Sequence, residues 1–280
     1  MTQSYLDALG ADDYCAALYR LTEEQGRKIA PEDLIRELDA DPAEAARCLK
    51  IFQERDLMAL KEGFLTLTSS GRANAEFALA RHARISEFFA GVLKLSPLEA
   101  CRNAARIRNV IQRDALAELY DYVEEHDLEH KLPEEDLIFL FPSLTSCLEN
   151  RYGYLFDPLY LTIDNYGSAT MARIAEYCGM KLPDVREEVH LMAERGFLEQ
   201  VSADDAELVL THLGRETMNE IFIRQMQISE FLQFTLEVEE EEAQENAWQW
   251  KFLLSDEAMK AIRDFNDENG IKAERGTGEP

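Results

Sequence analysis

Apolar positions spaced three and four residues apart mark helices, and strict short alternations mark strands. In the first half of this chain that pattern predicts a helix over 14–24 that meets Gly26, and a short helix over 31–38 with Leu34, Ile35 and Leu38 apolar. A third helix opens at Asp41-Pro42, carries the stripe Ala45, Leu49, Phe52 and ends at Glu54-Arg55. Two strand-like runs follow around a turn, 57–60 and 64–67, and Thr68 stands where a long helix wants its N-cap. A further helix covers about 114–126.

The second half repeats this grammar. Helical patterns over 158–165 and 169–178 flank Gly167, and Leu182-Pro183 opens a helix with the stripe Val185, Val189, Met192 that ends at Glu194-Arg195. Strand-like runs at 197–201 and 208–210 surround a longer, acidic turn, Ser202-Ala203-Asp204-Asp205, and Thr211 again precedes a long helix. A last helix is expected over about 257–269. The likeness extends to identities: Leu67-Thr68-Ser69-Ser70-Gly71-Arg72 reads like Leu210-Thr211-His212-Leu213-Gly214-Arg215, and Ile85-Ser86-Glu87-Phe88 recurs as Ile228-Ser229-Glu230-Phe231. Between 67–88 and 210–231 there are 9 identities in 22 positions at one offset of 143 residues. Unrelated stretches would share one or two, so the pattern predicts a duplication.

Helix, helix, helix, hairpin is the order of a winged helix, a variant of the helix-turn-helix. The expected fold is therefore mainly α: two tandem winged-helix units, each followed by a helical, dimerisation-like layer, together forming an internal pseudo-dimer. The boundaries read as 1–130 for copy one, 131–156 for a connecting segment, 157–269 for copy two and 270–280 for a disordered tail. The connector carries the apolar run Leu137-Ile138-Phe139-Leu140-Phe141, which suits docking between the copies.

The element order together with Leu-Thr-x-x-Gly-Arg…Arg81-His82 resembles the diphtheria-toxin-repressor family of iron- and manganese-dependent bacterial repressors. The resemblance covers about 10–127 and, more faintly, 155–269. It implies an N-terminal winged helix and a helical dimerisation domain bearing metal ligands. The family's main ligand motif is Cys or Glu, two residues, then Glu-His, on the helix after the conserved His. Without gaps it falls on Ala105, Arg108 and Asn109 in copy one and on Trp248, Lys251 and Phe252 in copy two. Starting the motif at Glu99-Ala100-Cys101-Arg102 leaves Ala104 and Ala105 in place of Glu-His. Asp13 and His82 are the remnants of the ligand set, and Gln225 takes the His position in copy two. The expectation is a family dimer fused into one chain, without the family's metal switch and without a cofactor.

Charge changes the functional picture. The chain carries 29 Lys and Arg against 55 Asp and Glu, a net of −26. Residues 1–127 hold 16 basic and 23 acidic side chains, a net of −7, and the remainder holds 13 and 32, a net of −19. Such an excess repels nucleic acid, so DNA binding has to come from a local set of cations. Copy one offers Arg47 and Lys50 on its third helix, Lys61 in the wing, and Arg27 and Lys28 before the second helix. Copy two presents Asp184, Arg186, Glu187, Glu188 and His190, with Asp204, Asp205 and Glu207 in its wing, and reads as a poor DNA binder. Two functions stay open: a transcription regulator that binds double-stranded DNA mainly through copy one, and a protein-interaction adaptor that kept the fold without DNA binding. Further oligomerisation is compatible with both.

Other chemistry is sparse. There is no glycine-rich phosphate loop, no nucleophile with a nearby histidine and no close cysteine pair, so an enzyme is not expected. His126 and His130, four apart with Glu129 between them, are the weak candidates for a metal site. The acidic run of Glu237, Glu239, Glu240, Glu241, Glu242 and Glu245 reads as a solvated helix face or loop, and Trp248 and Trp250 read as core. Five dispersed cysteines (Cys15, Cys48, Cys101, Cys147, Cys178) and the lack of an apolar leader or spanning run suggest a reduced, cytoplasmic, membrane-free protein.

Overall fold

The computed structural model describes residues 2–38, 42–128, 155–199 and 203–271. The apolar run at 137–141, His130, Cys147 and the tail from 272 lie outside the described residues. The chain divides into two compact units, one containing residues 1–111 and 116–141, the other residues 112–115 and 142–280. Among the described residues no helix is long and apolar enough to cross a membrane.

In the first unit α1 spans Thr2–Tyr19 and continues as a π-helical turn over Arg20–Glu24. It begins well before the predicted residue 14, because 2–13 hold no proline and the single Gly10 costs a helix only about 1 kcal/mol. Then come α2 (Pro31–Glu37), with a proline in its first turn, and α3 (Pro42–Glu54). The hairpin is β1 (Met58–Lys61) paired antiparallel with β2 (Phe64–Leu67), with Met58 opposite Leu67 and Lys61 opposite Phe64. Glu62 and Gly63 supply the positive φ values, 52° and 84°, that a tight turn needs. Tyr14, Leu18, Leu34, Ala45, Leu49, Phe52, Met58 and Leu65 form the core, with the Tyr14 and Phe52 rings 5.4 Å apart.

The second unit runs α7 (Phe156–Tyr166), α8 (Met171–Cys178) and α9 (Leu182–Glu194), around Phe156, Leu159, Ile174, Val185, Val189, Met192 and Phe197. Gly167 and Gly179 end the first two helices at φ 73° and 65°. The hairpin predicted here is described only in part. Residues 200–202 lie outside the described residues; on either side of them Leu198 bridges Leu210 and Glu199 N donates to Val209 O at 2.9 Å, while Glu207 bridges Thr170 ahead of α8. Residues 203–206 make a turn, with Ala206 N donating to Ala203 O at 3.1 Å, and the aspartates Asp204 and Asp205 in it disfavour strand.

Among the described residues three helices follow the first hairpin, α4 (Ser69–Gly91), α5 (Pro97–Ile107) and α6 (Arg113–Glu125), and three follow residue 211, α10 (His212–Thr235), α11 (Glu240–Leu253) and α12 (Asp256–Glu268). In its own unit α4 packs against α1 and α5, and α10 packs against α11 and α12. The apolar pattern along the sequence gives no boundaries for α5 and α11. The acidic run is the approach to α11 and its first turn, where carboxylates are favoured by the helix dipole.

Local geometry recurs at the 143-residue offset. Thr68 and Thr211 each accept from the amide three residues on, Gly71 and Gly214, both at 3.0 Å. Phe88 meets Tyr122 edge-on at 5.7 Å, and Phe231 meets Phe265 edge-on at 5.4 Å. Asn103 Nδ2 donates to Glu99 O at 2.8 Å, and Asn246 Nδ2 to Glu242 O at 2.9 Å. Lys94 and Glu237 both adopt positive φ, 54° and 52°, between the long helix and the next.

Candidate functional site

The five basic residues picked from the sequence are all exposed in the first unit. Arg47 and Lys50 lie on α3, Lys61 ends β1, and Arg27 and Lys28 precede α2. Arg27 donates to Glu37 Oε1 at 2.8 Å, and the Lys28 ammonium sits 5.4 Å above the Phe64 ring. The second unit differs. Arg186 on α9 is gripped by both oxygens of Asp204, at 2.8 and 2.5 Å, and that guanidinium holds the Asp204 carboxyl below its ordinary range. The one arginine on its third helix is thus occupied by the acidic segment facing it.

A second arrangement is buried. In the first unit three helices meet at a polar junction: α1 brings Asp13, α4 brings His82, and the C-cap of α5 brings Arg108. Arg108 is 3% exposed and His82 1%. The guanidinium forms an ion pair with Asp13 and lies 3.4 Å from His82 Nδ1. Asn109 Nδ2 reaches the other Asp13 oxygen at 3.4 Å. Beside it Arg81 pairs with Asp12 and donates to Asn109 Oδ1 at 3.1 Å, a second tie between α1 and α4. Burial, reinforced by the positive charges of Arg108 and Arg20, drives the His82 imidazolium down to a pKa of about 3, so the ring is neutral. Burial pulls the Asp13 carboxyl up, and Arg108 opposes it.

The second unit has the same junction in other residues. Lys251 near the end of α11 is 1% exposed, and its Nζ donates to Asp157 Oδ1 of α7 at 2.6 Å and to Gln225 Oε1 of α10 at 2.8 Å. Arg108 and Lys251 are 143 apart, as are His82 and Gln225. Asp157 follows Asp13 by 144 and was missed for that one-residue slip in the first helix. Burial lowers the Lys251 pKa and Asp157 resists the shift. The Trp248 and Phe252 rings lie 5.6 and 4.9 Å from the ammonium, and a cleft of about 100 Å³ opens beside it, walled by Tyr160, Phe222 and Trp248. Trp250 is core as expected, but Trp248 is half exposed, because it stands on the cleft side of α11.

These residues do not fit a divalent cation at the position where the resemblance puts one. A guanidinium or an ammonium already holds the carboxylate, and it would repel a metal ion at contact distance. Among the described residues no three His, Cys, Asp or Glu side chains converge to ligate one. His126, the described half of the other candidate pair, stacks on Tyr122 at 4.0 Å with Nδ1 3.0 Å from the Tyr122 carbonyl oxygen.

No curated protein matches the chain. Residues 68–136, which take in α4, α5 and α6 with His82 and Arg108, match the family model described as the iron-dependent repressor metal-binding and dimerisation domain.

Proposed function

We propose that this chain is a transcription regulator that binds double-stranded DNA, built from two fused copies of an iron-dependent-repressor-like unit and no longer switched by a metal at the family site. The observation that carries the regulator reading is the family match over 68–136 directly behind a three-helix and hairpin region that exposes Arg27, Lys28, Arg47, Lys50 and Lys61. The recurrence of caps, aromatic pairs and buried cations at one offset supports the duplication. Pairing of the copies within one chain is the corresponding reading of the family's dimerisation function. Unit one makes the contacts. In unit two the Arg186–Asp204 pair puts carboxylate where phosphate would lie.

The test is selection from a random DNA pool, with the upstream DNA of the chain's own gene included, at about 0.1 M salt, where surface charges are moderately screened. Enrichment of a site, lost in Arg47→Ala/Lys50→Ala, supports the regulator. If Arg27, Lys28, Arg47, Lys50 and Lys61 each neutralise one phosphate, the plot of log affinity against log salt should have a slope of about −4.5. Failure to enrich any site sinks this reading in favour of a protein-interaction adaptor, which the Arg186–Asp204 pair and the net charge of −26 favour.

A further inference from the structure

We infer that in each unit a buried side-chain cation, Arg108 in the first and Lys251 in the second, permanently performs the linking role of a divalent ion, tying the first helix to the helix that follows the long one. This shares with the proposed function only the loss of metal switching; it is independent of DNA binding and its test contains no DNA.

The junction is built around a positive charge. Each cation emerges near the end of the helix after the long one, is almost fully buried, and meets a carboxylate from the first helix, Asp13 or Asp157. A third group comes from the long helix, and both versions of it offer an acceptor: the neutral His82 ring at 3.4 Å from Arg108 and the Gln225 amide oxygen at 2.8 Å from Lys251. The chemistry of the cation and of its acceptor differs between the units, whereas the charge pattern and the three helices joined are the same. A carboxylate and a neutral acceptor closing on one buried cation is what a metal ion would also demand of its surroundings. A cation fixed to the chain cannot dissociate, so the link has no dependence on ion supply. The region matched by a metal-binding domain therefore carries its own counter-charge at Arg108.

The experiment measures thermal unfolding of the full chain with Mn²⁺ or with chelator. The unchanged protein should show no saturable response to Mn²⁺. Arg108→Met and Lys251→Met should each lower the midpoint in chelator by several degrees, with no recovery on adding Mn²⁺. In Arg108→Glu/Asn109→His the removed cation gives way to a carboxylate and an imidazole that join Asp13 and His82. That variant should be destabilised in chelator and regain about 5–10 °C at a hundredfold excess of Mn²⁺ over its Kd. Lys251→Glu/Gln225→His, beside Asp157, is the independent version should the first not fold. Three results overturn the inference. One is a saturable Mn²⁺ shift in the unchanged protein that vanishes in His82→Ala. Another is full stability of both methionine variants. The third is no Mn²⁺ response from either engineered junction.

Discussion

Replacing Gly71 with alanine tests whether the corner between hairpin and long helix works as described. A Cβ at that position would stand 1.8 Å from the Leu57 carbonyl oxygen and 2.8 Å from its carbon, where ordinary contact begins at 3.4 Å. The helix start must retreat by about 1.5 Å, and the carbonyl it abandons is shared. Leu57 O accepts from Thr68 N at 3.1 Å and from Thr68 Oγ1 at 3.2 Å, and Thr68 Oγ1 accepts from Gly71 N at 3.0 Å. Losing the cap costs about 1 kcal/mol. Leaving the carbonyl poorly satisfied costs about 1–3 kcal/mol. Alanine returns about 1 kcal/mol by its better helix propensity. The balance is a loss of about 2 kcal/mol, or about 6–10 °C in the midpoint of a unit this size, followed by far-ultraviolet circular dichroism. Gly214→Ala should cost a similar amount, since its Cβ would lie 2.0 Å from Phe197 O. If either substitution is tolerated within about 0.5 kcal/mol, the close approach is not the reason for glycine at these positions.

Lys251→Met should cost about 3–5 kcal/mol by stranding Asp157, and Lys251→Met/Asp157→Leu should recover much of that; additive losses in a double-mutant cycle would deny the coupling. Stability of the first unit should fall as pH drops below about 6.5, because the unfolded His82 takes up a proton that the folded ring refuses until about pH 3. Each pH unit in that window costs about 1.4 kcal/mol from His82, offset at the acid end by the raised Asp13 carboxyl, and His82→Gln, which copies the residue at Gln225, should flatten the part just below pH 6.5; an unchanged slope there would refute it. Asp204→Ala releases Arg186, and any DNA affinity should then gain up to about one unit of salt slope; an unchanged slope would show that Arg186 does not reach phosphate.

The helices were legible because their signals are local. Proline at the start of α2 and threonine before α4 and α10 act within four residues, and the 143-residue offset pairs Thr68 with Thr211 and Gly71 with Gly214. Alternation in 197–201 and 208–210 does not fix the pairing of the second hairpin, of which the Leu198–Leu210 bridge is described and 200–202 are not. At the junctions Arg108 and Lys251 were found by position, where the resemblance puts metal ligands. Their partnership with the first helix was not, since no spacing rule links residues 95 or 94 apart in the chain. Asn103 and Asn246 also escaped notice, although both sit at the common offset beside Ala104 and Ala247.

Both tryptophans of the chain, Trp248 and Trp250, lie on α11. One ring is half in solvent near the Lys251 ammonium and the other is fully enclosed. Indole emission is therefore blind to the first unit, whereas dichroism sums over the helices of both. If the two optical signals give superimposable melting curves, the halves lose structure as one cooperative body. If they separate, the fluorescence curve belongs to the second half alone, and subtracting it isolates the first. A quencher added from solution should reach Trp248 and spare Trp250, so one emission spectrum distinguishes the rim of the cleft from the core behind it.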